Sequence, residues 1–155
     1  MNNNYKIIKE NKNTRDIKKW ALNLTIENMK QYNSTSLYKY TKNKSISNKK
    51  SEFIICYFLN KKVGFCMIRK ENRIIFIYEI HVTFEHRSKG VGTILLDFCK
   101  KYYLNQKKYD SLVLFVLKNN YKAISFYEKN NFLIDKSYDD SILHYCYKFN
   151  LNNKF

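Results

Sequence analysis

The feature that most constrains this chain is a glycine-containing loop between a strand pattern and a helix pattern. The 155 residues include three glycines and no proline, and two of those glycines stand in the segment Arg87-Ser88-Lys89-Gly90-Val91-Gly92. Successive backbone N–H groups in such a loop form a concave anion site, and the N-terminus of the following helix adds further donors. Because glycine has no Cβ, a phosphate group can approach the backbone closely. The loop therefore predicts a pyrophosphate-binding site.

The patterns around this loop predict one α/β domain over residues 1–155. Their order is a strand, a helix, three antiparallel strands, a helix, a strand, a helix and a closing hairpin. The strand before the loop is the third of a meander, and the third glycine of the dinucleotide fingerprint is missing, so the segment fits a Rossmann site poorly. Residues 33–50 are rich in Lys, Asn and Ser. They predict a partly helical or mobile loop.

The charge of the chain is strongly basic, with 29 Lys and Arg against 13 Asp and Glu. Most of these cations are lysines scattered along the chain, whereas nucleic-acid-binding surfaces usually concentrate arginine, so nucleic acid is not predicted as the primary partner. The four cysteines form no Cys-x-x-Cys pair, and no metal site is predicted. No stretch is apolar enough to be a leader or a membrane span, so we expect an intracellular protein, cytoplasmic, nuclear or both.

Two segments resemble the signatures of the GNAT superfamily of N-acetyltransferases. The family's coenzyme signature reads Arg/Gln-x-x-Gly-x-Gly/Ala at a strand-to-helix junction, and residues 87–92 match it. Downstream, the segment from Asn120 to Phe132 is similar to the family's Asn-x-x-Ala…Tyr-x-x-x-Gly-Phe pattern, with Asn131 where Gly is usual. The resemblance covers residues 53–134. It implies acetyl-CoA as cosubstrate and a mixed, mostly antiparallel central sheet, splayed at the acetyl-CoA site and flanked by helices.

A narrower resemblance concerns residues 20–29 and 78–82, which look like the NatD-type N-terminal acetyltransferases. It implies transfer to the α-amine of a protein N-terminus, with a histone as one candidate partner. The sequence itself does not require an auxiliary subunit. The turn at 70–73 is shorter than the corresponding turn of that subfamily. In this chain, Glu71 is the acidic residue that the turn offers. Two alternatives stay open. The first is a GNAT enzyme that acetylates lysine side chains or a small amine, and the second is an inactive basic module that binds RNA or chromatin.

The resemblance also implies roles for individual residues. Glu79 is the expected base, with a pKa raised by burial, and His81 is the rival base. Glu79 and His81 are two residues apart on one strand, so their side chains are expected to face one cleft. Tyr127 is expected to protonate the leaving thiolate or to hydrogen-bond its sulfur.

The remaining implied residues would hold the two substrates. The coenzyme-binding set is Ile80, His81, Val82, Arg87, Ser88, Lys89, Gly90, Val91, Gly92, Thr93, Asn120 and Tyr127. The acceptor-binding set is Tyr32, Tyr78, Phe115, Asp139, Asp140 and Tyr145.

Overall fold

The computed structural model describes residues 4–138 and 141–152 and shows, within them, a seven-stranded mixed sheet with four α-helices. The strand order is β1-β2-β3-β4-β5-β7-β6. The strands are β1 Tyr5–Lys9, β2 Glu52–Phe58, β3 Lys61–Glu71, β4 Ile74–Val82, β5 Ser111–Leu117, β6 Leu133–Ile134 and β7 His144–Asn150. The helices are α1 Arg15–Met29, α2 Ser36–Ile46, α3 Val91–Asn105 and α4 Tyr121–Lys129. The predicted mixed and mostly antiparallel sheet is confirmed, since β4 and β5 form a parallel pair and the β1–β2, β2–β3, β5–β7 and β6–β7 pairs are antiparallel.

The chain forms two compact units, residues 1–69 with 79–95 and residues 70–78 with 96–155. In the first unit, α1 begins where the Oγ1 of Thr14 accepts a hydrogen bond from the amide of Ile17. The apolar face of α1 packs on β2 and β3, and each large side chain buried there contributes about 1.5–3 kcal/mol. This core consists of Ile17, Ala21, Ile46, Phe53, Ile55, Phe65 and Met67.

Helix α2 lies inside the segment 33–50, so the helical part of the prediction holds for Ser36–Ile46. Thr35 caps it by accepting a hydrogen bond from the amide of Tyr38. Its one buried residue is Ile46, and apolar residues do not recur along it at helical spacing. Periodicity therefore could not define this helix in advance.

In the second unit, every residue of β5 after Ser111 is apolar. The ring centroids of Phe132 and Phe149 lie 5.6 Å apart. In the parallel β4–β5 pair, Ile74 to Ile77 lie opposite Ser111 to Leu114. Asparagine supplies left-handed turn conformations throughout the chain, with φ of 65° at Asn60, 54° at Asn72 and 64° at Asn131. Asparagine tolerates this conformation better than most residues, so it can take the place of glycine in these turns.

Gly64 of β3 permits a close approach to β4. A Cβ built on it would lie 3.1 Å from the carbonyl oxygen of His81 and 3.2 Å from Cγ1 of Val91. We expect Gly64→Val to lower the free energy of unfolding by about 1–3 kcal/mol, because the added side chain overpacks this contact. Urea unfolding measures the change, with Lys61→Val at an exposed position of the same strand as control. Equal stability of the two variants would contradict the close approach.

Candidate active site

Glu79 and His81 form the centre of the candidate site in the first unit. The Nε2 of His81 lies 2.8 Å from Oε2 of Glu79, and each residue is only 8% exposed. Both side chains project from β4 with one residue between them, so they lie on the same face of the strand. The prediction that these two side chains face the same side of the strand is thereby confirmed.

The other carboxylate oxygen of Glu79 is occupied by Lys42, which the sequence did not identify. The Nζ of Lys42 donates a hydrogen bond to Oε1 of Glu79. The same ammonium lies 5.4 Å from the ring centroid of Tyr38, one helical turn earlier on α2. The Tyr38 hydroxyl is buried without a hydrogen-bond partner. Its pKa is raised mainly by this burial and secondly by the nearby charge of Glu79. Helix α2 therefore delivers a cation and an aromatic ring to the carboxylate.

The pKa of Glu79 is lowered, and the prediction of a raised pKa is wrong. Burial does raise it, but the hydrogen bond from His81 and the charge of Lys42 together outweigh burial. The sequence showed the apolar strand around Glu79 but not the two donors on its oxygens. In this structure Glu79 is therefore an ionised carboxylate in a buried site.

This lowered pKa predicts acid sensitivity. The unfolded state binds a proton near the ordinary glutamate pKa of 4.5, whereas folded Glu79 resists protonation. The stabilisation is fully present above pH 4.5 and is lost as the pH falls through the folded pKa. We expect Lys42→Met to reduce this acid-dependent loss, measured by urea unfolding between pH 7 and pH 3. Lys39→Met, at an exposed position of the same helix, should behave like the wild type, and an unchanged pH dependence in Lys42→Met would contradict the assignment.

Asn28, near the end of α1, connects this pair to the glycine-containing loop. Its Nδ2 donates to the carbonyl oxygen of Val82 at 3.1 Å and lies 3.4 Å from Nδ1 of His81. Its Oδ1 accepts from the Arg87 guanidinium at 2.5 Å. Arg87 also lies over the ring of Phe84, 5.5 Å from its centroid. The arginine of the signature segment thus contacts α1.

The loop itself has the conformation that a phosphate-binding segment needs. Ser88 and Gly90 have positive φ values of 57° and 83°, and a Cβ at Gly90 would meet nothing within 4 Å. Helix α3 begins directly afterwards at Val91, which is buried, so the loop is anchored while Ser88, Lys89 and Gly90 are exposed. The first N–H groups of a helix have no partner inside it. The backbone from Ser88 to Thr93 therefore fits the pyrophosphate of a coenzyme.

The second unit contains the other residues that the sequence implied. Tyr127 is 8% exposed, and Oδ1 of Asn120 accepts from the amide of Ala123 and caps α4. Tyr78 is 40% exposed and donates to Glu71 at 3.4 Å, and Phe115 is 48% exposed beside Tyr138. Lys118 lies over the ring of Tyr145. Their roles in binding or protonation stay predictions, as does that of Tyr32 in the first unit.

Asp139 and Asp140 lie outside the described residues. Among the residues that are described, no group of His, Cys, Asp or Glu could hold a metal ion. All four cysteines are buried, and none of them forms a disulfide. No helix in the described ranges is long and apolar enough to cross a membrane.

Comparisons with known proteins agree with this geometry. The sequence profile of the acetyltransferase (GNAT) family matches residues 16–132. Acetyltransferase PseH of Campylobacter jejuni is 44% identical over 46 residues, which is 30% of this chain and 29% of that protein. The chain therefore matches less than a third of that relative's length.

Two solved structures share the fold over nearly the whole chain. The PaiA N-acetyltransferase of Thermoplasma acidophilum, solved with coenzyme A, has a TM-score of 0.75 at 15% identity, covering 94% of this chain and 98% of the other. PH1933 of Pyrococcus horikoshii has a TM-score of 0.73 at 25% identity, with 96% and 99% coverage. The chain belongs to the acetyltransferase (GNAT) family.

Proposed function

We propose that this enzyme acetylates the primary amine of a small acceptor that carries no second cationic group near that amine. The observation that carries the proposal is the ion pair between Lys42 and Oε1 of Glu79. The carboxylate that an acceptor amine must approach already has a fixed cation beside it. A second positive charge on the acceptor would be repelled in this partly buried setting.

The chain's own residues supply binding and proton transfer in this proposal. The N–H groups from Ser88 to Thr93 would hold the pyrophosphate, and the backbone of Ile80, His81 and Val82 would hold the pantetheine and acetyl portion. When bound, acetyl-CoA supplies the thioester carbonyl that the acceptor amine attacks directly. Tyr127 is the proposed donor to the leaving thiolate. Four buried thiols offer no nucleophile for an acyl-enzyme.

Glu79 is the proposed proton acceptor, directly or through a water. Its lowered pKa keeps it ionised, so it attracts the incoming amine. Each carboxylate oxygen has a second lone pair, so the acceptor amine, or a water between them, can approach Oε1 beside Lys42. His81 remains hydrogen-bonded to Oε2 and holds the carboxylate in place.

The NatD-like transfer to a protein N-terminus is the second candidate. It depends on an acidic groove for a basic tail, and Asp139 and Asp140 are its predicted anchors. Lys42 neutralises Glu79, which is the buried carboxylate at the centre of the described site. The formal net charge of +16 also disfavours approach of a basic peptide. We therefore rank the small acceptor above the histone tail, and an acceptor panel separates both from a lysine side chain.

An acceptor panel tests the proposal. Release of the coenzyme A thiol is measured with small neutral or acidic amines, with polyamines, and with Ser-Gly-Arg-Gly peptides whose α-amines are free or blocked. We expect turnover of small amines without a second cation, and we expect Lys42→Met to gain activity on polyamines relative to the exposed control Lys39→Met. Preferred turnover of the free basic peptide, lost on blocking, would establish the N-terminal alternative. Turnover that persists on the blocked peptide would point to lysine.

A further inference from the structure

The side-chain amide of Asn28 has a defined orientation. The Arg87 guanidinium can only donate, so the atom 2.5 Å from it must be the amide oxygen. The carbonyl of Val82 can only accept, so the atom 3.1 Å from it must be the amide nitrogen. Two partners on opposite sides of the amide thus exclude the flipped assignment.

This orientation determines which nitrogen of His81 carries the proton. The Asn28 amide nitrogen is a donor, and it lies 3.4 Å from Nδ1 of His81. Nδ1 must therefore present its lone pair, which leaves the proton of a neutral imidazole on Nε2. That proton points at Oε2 of Glu79, 2.8 Å away. The contact of Asn28 with Nδ1 therefore selects the tautomer whose Nε2–H donates to Glu79.

We infer that Asn28 is a positioning residue for acetyl transfer. It holds His81 as the Nε2–H tautomer and so orients the Glu79 carboxylate toward the acceptor. The inference rests on the proposed role of Glu79 as proton acceptor. Because both nitrogens of His81 are engaged, the imidazole orients the carboxylate and does not itself take the proton. In enzymes where a residue orients a catalytic imidazole, imposing the wrong tautomer can lower turnover by about 10⁴-fold.

Asn28 also links the coenzyme loop to the reacting groups. Arg87 begins the glycine-containing segment, and its guanidinium fixes the Asn28 amide from the side opposite His81. Helix α1 places Asn28 between the two, and the His81 ring is flanked by Phe65, with 5.7 Å between centroids. The charged groups around this imidazole are Glu79 directly, Lys42 through Glu79, and Arg87 through Asn28. The loop and the catalytic pair therefore share one hydrogen-bonded chain.

Nitrogen-15 NMR of histidine side chains tests this inference, and the chain has only three histidines to assign. We expect wild-type His81 to show a protonated Nε2 and an unprotonated Nδ1. Asn28→Asp replaces the amide donor with a carboxylate, so we expect a proton on both nitrogens. Turnover should fall by about a hundredfold in Asn28→Asp and in Asn28→Ala. Asn23→Asp, on the exposed face of the same helix, should change neither the spectrum nor turnover.

The outcomes separate this inference from the proposed function. A wild-type spectrum with the proton on Nδ1 would overturn it, as would full turnover in Asn28→Ala that folds normally. If Asn28→Ala does not fold, the near-isosteric Asn28→Asp and the wild-type spectrum decide. A wild-type protein inactive on every amine would instead contradict the proposed function, while the spectrum still decides the Asn28 contact.

Discussion

Glu79→Gln is expected to lower turnover by about 10²- to 10⁴-fold while leaving acetyl-CoA affinity nearly unchanged. The substitution keeps the shape of the side chain and an oxygen that can accept from Nε2 of His81, but it removes the group that takes the proton. Steady-state thiol release gives the turnover, and calorimetric titration with acetyl-CoA gives the affinity. The effect is large because no other carboxylate in the described part of the first unit contacts His81.

The matched control is Glu85→Gln, an exposed glutamate in the turn before the loop. It removes one negative charge near the same segment and should leave turnover unchanged. Full activity of Glu79→Gln across the pH range would show that His81 or solvent takes the proton. That result would also remove the reason for the Asn28 contact.

Gly90→Val is expected to weaken acetyl-CoA binding by about tenfold or more, the factor that 1.4 kcal/mol represents. Gly90 has a φ of 83°, which a β-branched residue adopts only at a cost of about 1–3 kcal/mol. The position where its Cβ would lie has no protein atom within 4 Å, so a valine there would enter the space open to a bound phosphate. Calorimetric titration measures the loss of affinity.

A variant with backbone strain at another turn distinguishes the effect of strain from the effect of crowding the bound phosphate. Asn60→Val introduces a β-branched residue at a φ of 65° in the turn between β2 and β3. It should lower the free energy of unfolding but leave acetyl-CoA affinity unchanged. If Gly90→Val binds acetyl-CoA as tightly as the wild type, the loop does not hold the pyrophosphate.

The strand–loop–helix around residues 87–92 could be predicted because it depends on local chemistry. Glycine at Gly90 and asparagine at Asn60 and Asn72 are residue types that accept positive φ, and all three positions have it. The spacing of Glu79 and His81, two residues apart on one strand, likewise predicted that they share a face. These features involve residues that are neighbours in the chain.

The partners of Glu79 and His81 could not be predicted, because they come from distant parts of the chain. Lys42 is 37 residues before Glu79, and Asn28 is 53 residues before His81. Helix α2 has almost no apolar periodicity, so neither its bounds nor the side that carries Lys42 was evident. Without Lys42 the burial of Glu79 suggested a raised pKa, and the added cation reverses the direction. A pKa in a buried site depends on tertiary contacts more than on the strand around it.

The measurement that tests the central claim most directly is thiol release from acetyl-CoA by the wild-type enzyme, with and without acceptor amines. Mass spectrometry of the acceptor and of the protein accompanies it. We predict that thiol release requires the amine, that each thiol released corresponds to one acetyl group on a small acceptor, and that the protein stays unacetylated when the amine is omitted. A protein that binds acetyl-CoA but releases no thiol with any amine, or that releases it only by forming an acetylated enzyme, would contradict direct transfer at Glu79.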